Sequence, residues 1–317
     1  MSLEVREARL DDIRGISAIF RAPINVWQRL NARGYVEDVG YDGLTLYERW
    51  LHGGPWMSVE TGAVFLNHLL LGGGIALVAV SDGLIQGYAE AYHSVETAPF
   101  HSHLHLAHLV VDPAQIDTGI EVVLTDALIE QARRLKCRQI TVLRSGPGSV
   151  AEAVRERVEL KDIACLQRYT LAARQGQVFY RAVEHLNDNP EQIRGWLMPI
   201  GRLTSARQQW EMLWPSIWNT IPEMVARRTH RLKVSAAGQE AFLCLQQQLY
   251  DPRSADVYCW TAKSLTPQLV SAIRDWAHRE GYRNLSLPIF EETIPTLGAE
   301  AEEVGYTQNV CAVALGK

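Results

Sequence analysis

Two kinds of hydrophobic spacing alternate along the chain, and together they predict an α/β protein. Residues 106–111 are mostly apolar and read as a strand, and a short loop then leads to Gly119. From Gly119 to about Lys136 apolar residues recur every three or four positions, the spacing of an amphipathic helix. Another strand pattern follows at 139–143. The apolar positions of the helix are Ile120, Val123, Leu124, Ala127, Leu128, Ala132 and Leu135.

This unit of strand, loop, helix and strand recurs 145 residues later, and a strand pattern at 285–289 ends the second copy of it. Arg134 and Arg138 have counterparts at the same offset in Arg279 and Arg283. Because two alanine positions coincide as well, we interpret the chain as a duplicated α/β unit. The apolar positions of the second helix are Leu269, Ala272, Ile273 and Ala277.

The two copies are expected to meet near Arg174, which predicts domains at 1–174 and 175–317. The first copy opens with a strand at 5–9 and a helix that Asp11 or Asp12 caps. Its other expected elements are helices at 44–51, 59–71 and 150–158, a hairpin at 75–80 and 84–93, and a closing strand near 165–172. For the second copy we expect a strand at 178–183, a hairpin at 232–234 and 241–246, and strands at 257–261 and 310–315.

Composition is that of a globular protein, with 47% hydrophobic and 21% charged residues over 317 residues. A net charge of −5 gives no general attraction to nucleic acid or to an anionic membrane, so neither is an expected partner. No apolar run reaches the roughly 18 residues of a membrane-spanning helix. The first residues lack the apolar stretch of a secretion signal, and we therefore expect a cytoplasmic protein.

The five cysteines are odd in number and widely spaced, without a C-x-x-C pair. This pattern argues against a zinc ribbon and against a dithiol redox site. Reduced, buried thiols are the simpler interpretation.

The segment that begins at residue 106 resembles the acetyl-CoA-binding segment of the GCN5-related N-acetyltransferase (GNAT) superfamily, a strand followed by V-x-P and Q/R-x-x-G-x-G/A. Val111, Pro113 and Gly119 fit this motif. Ile116 stands where the family has Gln or Arg, and Glu121 where it has a small residue. The resemblance implies an α/β (α+β) fold of two tandem GNAT-like domains, each a mixed, mostly antiparallel sheet flanked by helices.

The resemblance also implies acetyl-CoA as co-substrate, without a metal. Backbone N–H groups at a helix start suit a pyrophosphate. The loop before Gly119 is long enough to supply such N–H groups. In the second copy only three residues, Ala262 to Ser264, precede the apolar run, and none is glycine, so we expect that copy to be structural. The cofactor-binding residues expected in the first copy are Leu109, Val110, Val111, Ile116, Asp117, Thr118, Gly119, Ile120 and Glu121.

Family chemistry implies direct attack of an amine on the thioester, assisted by a general base. Alignment of the strand ends places His105 at the family's base position, although counting from Ile116 also allows His108. Glu90 and Tyr92, which share one face of the neighbouring strand, are rival candidates.

The acid that protonates the leaving thiolate in the family is a tyrosine on the helix expected at 150–158, which has none here. Tyr169 is the nearest tyrosine; otherwise water does this work, or the reaction is not performed. His101, His103 and His105 alternate along the strand, but nothing in the sequence completes a metal site with them.

The leading hypothesis is therefore an N-acetyltransferase that moves an acetyl or other acyl group from acetyl-CoA to an amine in the N-terminal domain. The alternative is a catalytically inactive GNAT-like protein, either an acyl-CoA sensor or a protein-interaction module. The acceptor, a small-molecule or peptide amine, is not identified by the sequence. Two oligomeric states stay open, a monomer that forms a pseudo-dimer by its own duplication and a homodimer.

Overall fold

One large sheet runs through both halves of the chain in the computed structural model, which describes residues 3–31, 33–116, 118–144, 154, 158–305 and 307–315. Fourteen strands of this described part form the sheet, and β2 and β3 form a separate hairpin. The strands are β1 (Glu4–Glu7), β2 (Trp27–Leu30), β3 (Val36–Val39), β4 (Ile75–Ser81), β5 (Leu84–Val95), β6 (Ser102–Val111), β7 (Gln139–Arg144), β8 (Lys161–Ala172), β9 (Tyr180–Glu184), β10 (Leu197–Ile200), β11 (Thr229–Ala236), β12 (Gln239–Gln247), β13 (Ser254–Thr261), β14 (Asn284–Phe290), β15 (Glu302–Glu303) and β16 (Gln308–Ala314).

Helices cover both faces of the sheet. The α-helices are α1 (Ile13–Arg21), α2 (Leu46–Leu51), α3 (Val59–Leu71), α4 (Ile120–Arg134), α5 (Ala206–Leu213), α6 (Pro222–Ala226) and α7 (Pro267–Arg279). Short 3-10 helices lie at Leu10–Asp12, Tyr41–Gly43, Gly54–Met57, Pro113–Gln115, Pro190–Ile193 and Glu291–Leu297.

The first half builds the strand order β1-β4-β5-β6-β7. All neighbours are antiparallel except β6 and β7, which are parallel and joined through α4. Paired positions between β6 and β7 run only from His103 to Leu106, so beyond Leu106 the two strands diverge. The remaining part of β6 pairs with β5 alone, and the loop after Val111 leads to the start of α4 at Ile120.

The second half repeats this order as β9-β11-β12-β13-β14, again with a parallel last pair joined through a helix, α7. Here too the parallel strands diverge after three paired positions. The short strand β10 lies in that opening, because Leu197 and Ile200 pair with β13 and Ile200 also pairs with β14. The second half thus has a strand, β10, in the gap between β13 and β14 that corresponds to the gap between β6 and β7.

The two halves exchange their last strands. The C-terminal strand of the chain, β16, lies between β7 and β8 and is antiparallel to both. In turn β8, the last strand of the first half, pairs with β14 of the second half. The predicted boundary at residue 174 falls between β8 and β9, and it stays a prediction because β8 and β16 belong to the sheets of both halves.

Apolar residues form separate clusters on the two faces of the first half. Leu104, Leu106 and Leu109 of β6 pack with α4 on one face. Ala107 and Val110 of the same strand pack with α1 and α3 on the other face. A tryptophan-rich cluster supports the second half, and Trp218 packs against Trp50 and Phe65 of the first half (ring centroids 4.4 and 6.3 Å apart). The buried residues of that cluster are Ile193, Met198, Ala206, Trp210, Leu213, Trp214, Phe242, Cys244, Tyr258 and Trp260.

Most predicted elements agree with the structure, and the predicted fold class is confirmed. The helix expected at 59–71 has those bounds, and the repeated strands β7 and β14 begin 145 residues apart, at Gln139 and Asn284. The hairpin β2–β3 and the strand β10 were not predicted. In the second copy α7 begins at Pro267 rather than directly after Ser264. The helix expected at 150–158 lies almost entirely outside the described residues.

Candidate active site

A β-bulge in β6 creates the central feature of the site. Along β5 the partner of Glu90 is His108, but the partner of Ala91 is Leu106, which leaves Ala107 as an extra residue. Such a bulge changes the direction in which the following side chains point. His108 therefore lies on the α1 side of the sheet, where its ring meets Phe20 edge-on with centroids 5.4 Å apart.

Glu90 and His108 face each other across this bulge. Residues directly opposite in an antiparallel pair have Cβ atoms about 4.5–5.5 Å apart. Glu90 is fully buried and accepts a hydrogen bond from the Tyr88 hydroxyl at 3.2 Å. Burial raises the pKa of Glu90, while the neighbouring His108 and the hydroxyls of Tyr92 and Tyr88 oppose that shift. His108 is only half-buried, so it is the more accessible member of the pair.

The second half contributes a side chain, Gln208, to the surroundings of Glu90. Helix α5 packs on β5, and Nε2 of Gln208 lies 3.5 Å from Oε1 of Glu90, a long and weak contact. Gln208 is itself buried, at 5% exposure. Gln208 could not be predicted from local sequence patterns, since it lies 118 residues from Glu90 along the chain.

His105, the predicted base, lies on the same face but deeper in the sheet. Its side chain is buried, and Nδ1 is 3.0 Å from Oγ1 of Thr141 on β7. Burial lowers the pKa of His105 well below its ordinary value, and the nearby His103 and Arg202 add to this effect. His105 is thus held as a neutral ring in the interior, and its catalytic role stays a prediction.

Tyr169, the predicted thiolate acid, lies elsewhere in the molecule. It belongs to β8 and packs in the hydrophobic core of the second half. Strands β7 and β16 separate β8 from β6, and three strand spacings amount to about 14 Å. The structure therefore brings Glu90 and His105 onto one face of neighbouring strands and leaves Tyr169 apart from them.

Beside the site, a buried ion pair fixes the second half against the first. Arg202 donates to both carboxylate oxygens of Glu96, at 2.6 and 3.0 Å. Glu96 also accepts from the Ser94 hydroxyl and from the N–H of Ala206 at the start of α5. Burial alone would raise the pKa of Glu96, but Arg202 and His103 outweigh it and the pKa is lowered. Helix α5 is thereby held over β5 by an anion at its N-terminus.

The start of α4 is open in the manner required of an anion site. Gly119 is its N-cap, with φ +82° and no side-chain cap, and a Cβ there would meet nothing within 4 Å. The first N–H groups of a helix have no partner within it and carry the positive end of the dipole. They lie at the end of β6, next to the divergence from β7.

The remaining predicted cofactor residues lie around this helix start. Ile116 is 59% exposed, so its side chain points into solvent, and the Thr118 hydroxyl donates to the carbonyl of Gln115 at 2.6 Å. Ile120 is buried against the sheet, and Glu121 is half-buried in the first turn. Leu109 is buried, Val110 and Val111 end β6, and Asp117 lies outside the described residues.

In the second half, the start of the equivalent helix α7 has both a side-chain cap and a proline. Thr266 caps α7 by accepting from the N–H of Leu269, and Pro267 removes another donor from the first turn. The Thr266 hydroxyl also donates to Gln239, whose amide in turn donates to the carbonyl of Ser264. Together with β10 in the strand opening, these contacts occupy positions at which the described part of the first half has neither a side-chain cap nor a strand.

The described residues contain neither a metal-binding cluster nor a membrane-spanning helix. No group of three or more His, Cys, Asp and Glu among them is arranged to hold a metal ion. No helix in the described part of the chain has both the length and the apolar character needed to cross a bilayer.

Solved structures identify the fold. The chain is similar to a GCN5-related N-acetyltransferase from Anabaena variabilis ATCC 29413, with a TM-score of 0.63 over 98% of this chain and 72% of that one, at 9% identity. The chain has the GNAT fold. A GCN5-related N-acetyltransferase from Kribbella flavida (TM-score 0.59, 12% identity, 99% and 71% covered) and Eis1 from Mycobacterium abscessus (0.52, 12%, 98% and 73%) are also similar.

The predicted resemblance to the GNAT superfamily is thus confirmed at the level of the fold. No protein-family model and no curated protein sequence matches the chain. At identities this low the likeness carries no residue roles, and the chemistry has to be argued from the geometry of the GNAT-fold site itself.

Proposed function

We propose that the first half of this chain transfers an acetyl or other acyl group from acyl-CoA to an amine. The contrast between the halves carries this proposal. Among the described residues, the start of α4 has no side-chain cap and no strand lies between the diverging ends of β6 and β7, whereas in the second half Thr266 caps α7 and β10 lies between β13 and β14. Selective closure of one copy is expected if the other copy holds the ligand. The donors at Gly119 to Val122 would bind the pyrophosphate, and the divergence of β6 from β7 would take the pantetheine arm.

Proton removal from the amine is assigned to His108, supported by Glu90. His108 is the accessible member of the pair, and a carboxylate directly opposite stabilises the imidazolium that forms when the ring takes a proton. Ala107, the residue without a partner in β5, lies next to His108 and directly after Leu106, the last residue of β6 that pairs with β7. The predicted base His105 remains the rival, since it lies on the same face.

Calorimetry with acetyl-CoA tests the binding step. Gly119→Trp should abolish binding, because a side chain then stands at the helix start. Gly281→Trp is the matched control, since Gly281 has a similar φ of +87° and equally open space but lies after α7 in the second half. Absence of binding to the unmodified chain, or equal binding by the two variants, would contradict the proposal.

Thioester turnover with a panel of amines tests the chemical step. His108→Gln should lower turnover by about a hundredfold or more, the usual contribution of a general base, with acetyl-CoA binding retained. A loss with His105→Gln alone would instead favour His105, and Tyr169→Phe tests the predicted acid in the same assay. Binding without turnover of any amine would leave the acyl-CoA sensor as the function.

A further inference from the structure

A groove of about 390 Å³ lies between the two halves, away from the start of α4. The hairpin β2–β3 and helix α2 form one side of it, and Glu223 and Tyr250 of the second half form the other. Its volume lies within the range of about 300–1,000 Å³ found for small-molecule sites. A groove of this size between two packed units suits a small ligand better than a protein surface.

Part of the lining is a set of unusually exposed apolar side chains. Leu30, Val36, Leu51 and Tyr250 are 47, 61, 48 and 72% exposed, and all four line the groove. Single exposed apolar residues are ordinary, but a contiguous set of them usually marks a binding surface. The ligand therefore has an apolar body.

The charged side chains that line the groove are Arg29, Glu48 and Glu223. Arg29 is neutralised by Glu37, with Nε 2.6 Å from Oε1. Glu48 accepts from the backbone N–H of Thr45 at 2.8 Å, and its charge acts on Arg29 in addition to that of Glu37. Among the described residues Glu223 has no ion-pair partner, and the nearby cation Arg227 lies 3.6 Å from Asp256 instead.

We propose that this groove binds an organic amine, with its ammonium group beside Glu223 and its apolar body on Leu30, Val36 and Leu51. A carboxylate without a cation favours a positive ligand. The site is separate from the proposed transfer centre, because Glu90 and His108 lie on β5 and β6 and none of the groove residues does.

Calorimetry with three probes of one shape tests this site, on the full chain without acetyl-CoA. The probes are 4-phenylbutylamine, 4-phenylbutan-1-ol and 4-phenylbutyrate, which carry positive, zero and negative charge. We expect the amine to bind most tightly, the alcohol more weakly and the acid not at all, with the preference for the amine decreasing as salt is added. Equal affinity for amine and alcohol, or no binding of any probe, would overturn the proposal.

Variants then locate the bound probe. Glu223→Gln should weaken amine binding about fivefold, the upper range for a partly exposed ion pair, and leave alcohol binding unchanged. Val36→Ser should weaken both probes. Glu184→Gln, an exposed carboxylate on the edge strand β9, is the matched control and should change neither. If Glu223→Gln leaves amine binding unchanged, the proposal is wrong. Because acetyl-CoA is absent, the result does not depend on whether the chain is a transferase.

Discussion

At the residue scale, one carboxylate joins the two halves. Glu96 and Arg202 have side chains exposed by 0 and 1%, and the guanidinium carbon of Arg202 lies 3.6 Å above the centre of the Phe100 ring. Removal of one partner from such a pair leaves the other charge buried without compensation, which costs about 3–5 kcal/mol. The pair is therefore the contact whose loss should most weaken the attachment of α5.

We expect Glu96→Ala to lower the free energy of unfolding by about 3–5 kcal/mol in urea titrations, because Arg202 stays buried without its anion. Glu130→Ala is the control, since Glu130 and Arg133 form an exposed pair, and it should cost less than about 1 kcal/mol. A cost for Glu96→Ala as small as that of the control would show that the pair is not buried in solution.

The same cluster predicts a pH dependence of stability. Burial lowers the pKa of His103 to about 4, with Glu96 opposing and Arg202 adding to the shift. As pH falls below about 6.5 the unfolded chain binds a proton at this histidine and the folded chain does not, so stability is lost between about pH 6.5 and 4. The loss attributable to His103 is at most about 3.5 kcal/mol, since one pKa unit corresponds to about 1.4 kcal/mol.

Urea unfolding between pH 7 and 4 measures this loss. His103→Gln should show a flatter pH profile than the unmodified chain, whatever its stability at pH 7, because the titrating group is gone. Parallel profiles for the two proteins would assign the acid sensitivity to other groups, such as Glu96 or His105.

Residue patterns could predict which strand carries the site but not which of its residues meet. Strict alternation puts His105 and His108 on opposite faces, and the bulge at Ala107 brings both to the α1 side. A bulge depends on the pairing of two strands, which one strand's sequence does not record. The contact of Gln208 with Glu90 could not be predicted for a similar reason, because it depends on how the two halves pack.

At the element scale, β10 distinguishes the two halves. Helix α3 and the repeated unit of strand, helix and strand were predictable because their spacing is local. The four residues of β10 carry no such period, and the strand exists because β13 and β14 diverge and leave hydrogen-bonding edges that it satisfies. Gly201, directly after β10, has φ +81°, donates to the carbonyl of Pro288 at 2.7 Å and lies against Val257.

We expect Gly201→Ala to destabilise the chain by about 3 kcal/mol or more, because its Cβ would overlap the carbonyl oxygen of Val257 as well as force a strained φ. Gly195→Ala isolates the backbone effect, since Gly195 has φ +78° with open space around it, and it should cost about 1 kcal/mol. Urea titration compares the two. Equal costs would mean that β10 does not fill the opening tightly.

At the scale of the whole molecule, the exchange of β8 and β16 makes the halves interdependent. Sequence patterns indicated two repeated units but not this exchange, because either closing strand has the right pattern for either sheet. In the structure β16 supplies the partner of β7, the strand that continues from α4. The first half on its own would leave both β7 and β8 with open edges where β16 now lies.

A chain that ends at Thr307 should therefore lose cooperative folding, although it lacks only ten residues of 317. Its sheet would be interrupted between β7 and β8, and the partners of the buried Val310 and Cys311 would face water. A chain lacking residues 1–7 is the control, since β1 is an edge strand with one neighbour, and it should keep a single thermal transition. Circular dichroism melts distinguish these outcomes. A truncated chain that melts within a few degrees of the full chain would show that the exchanged strand is dispensable and that each half closes its own sheet.

Separate halves, 1–174 and 175–317, should each fail to fold alone and should associate when produced together, since each then regains its missing strand.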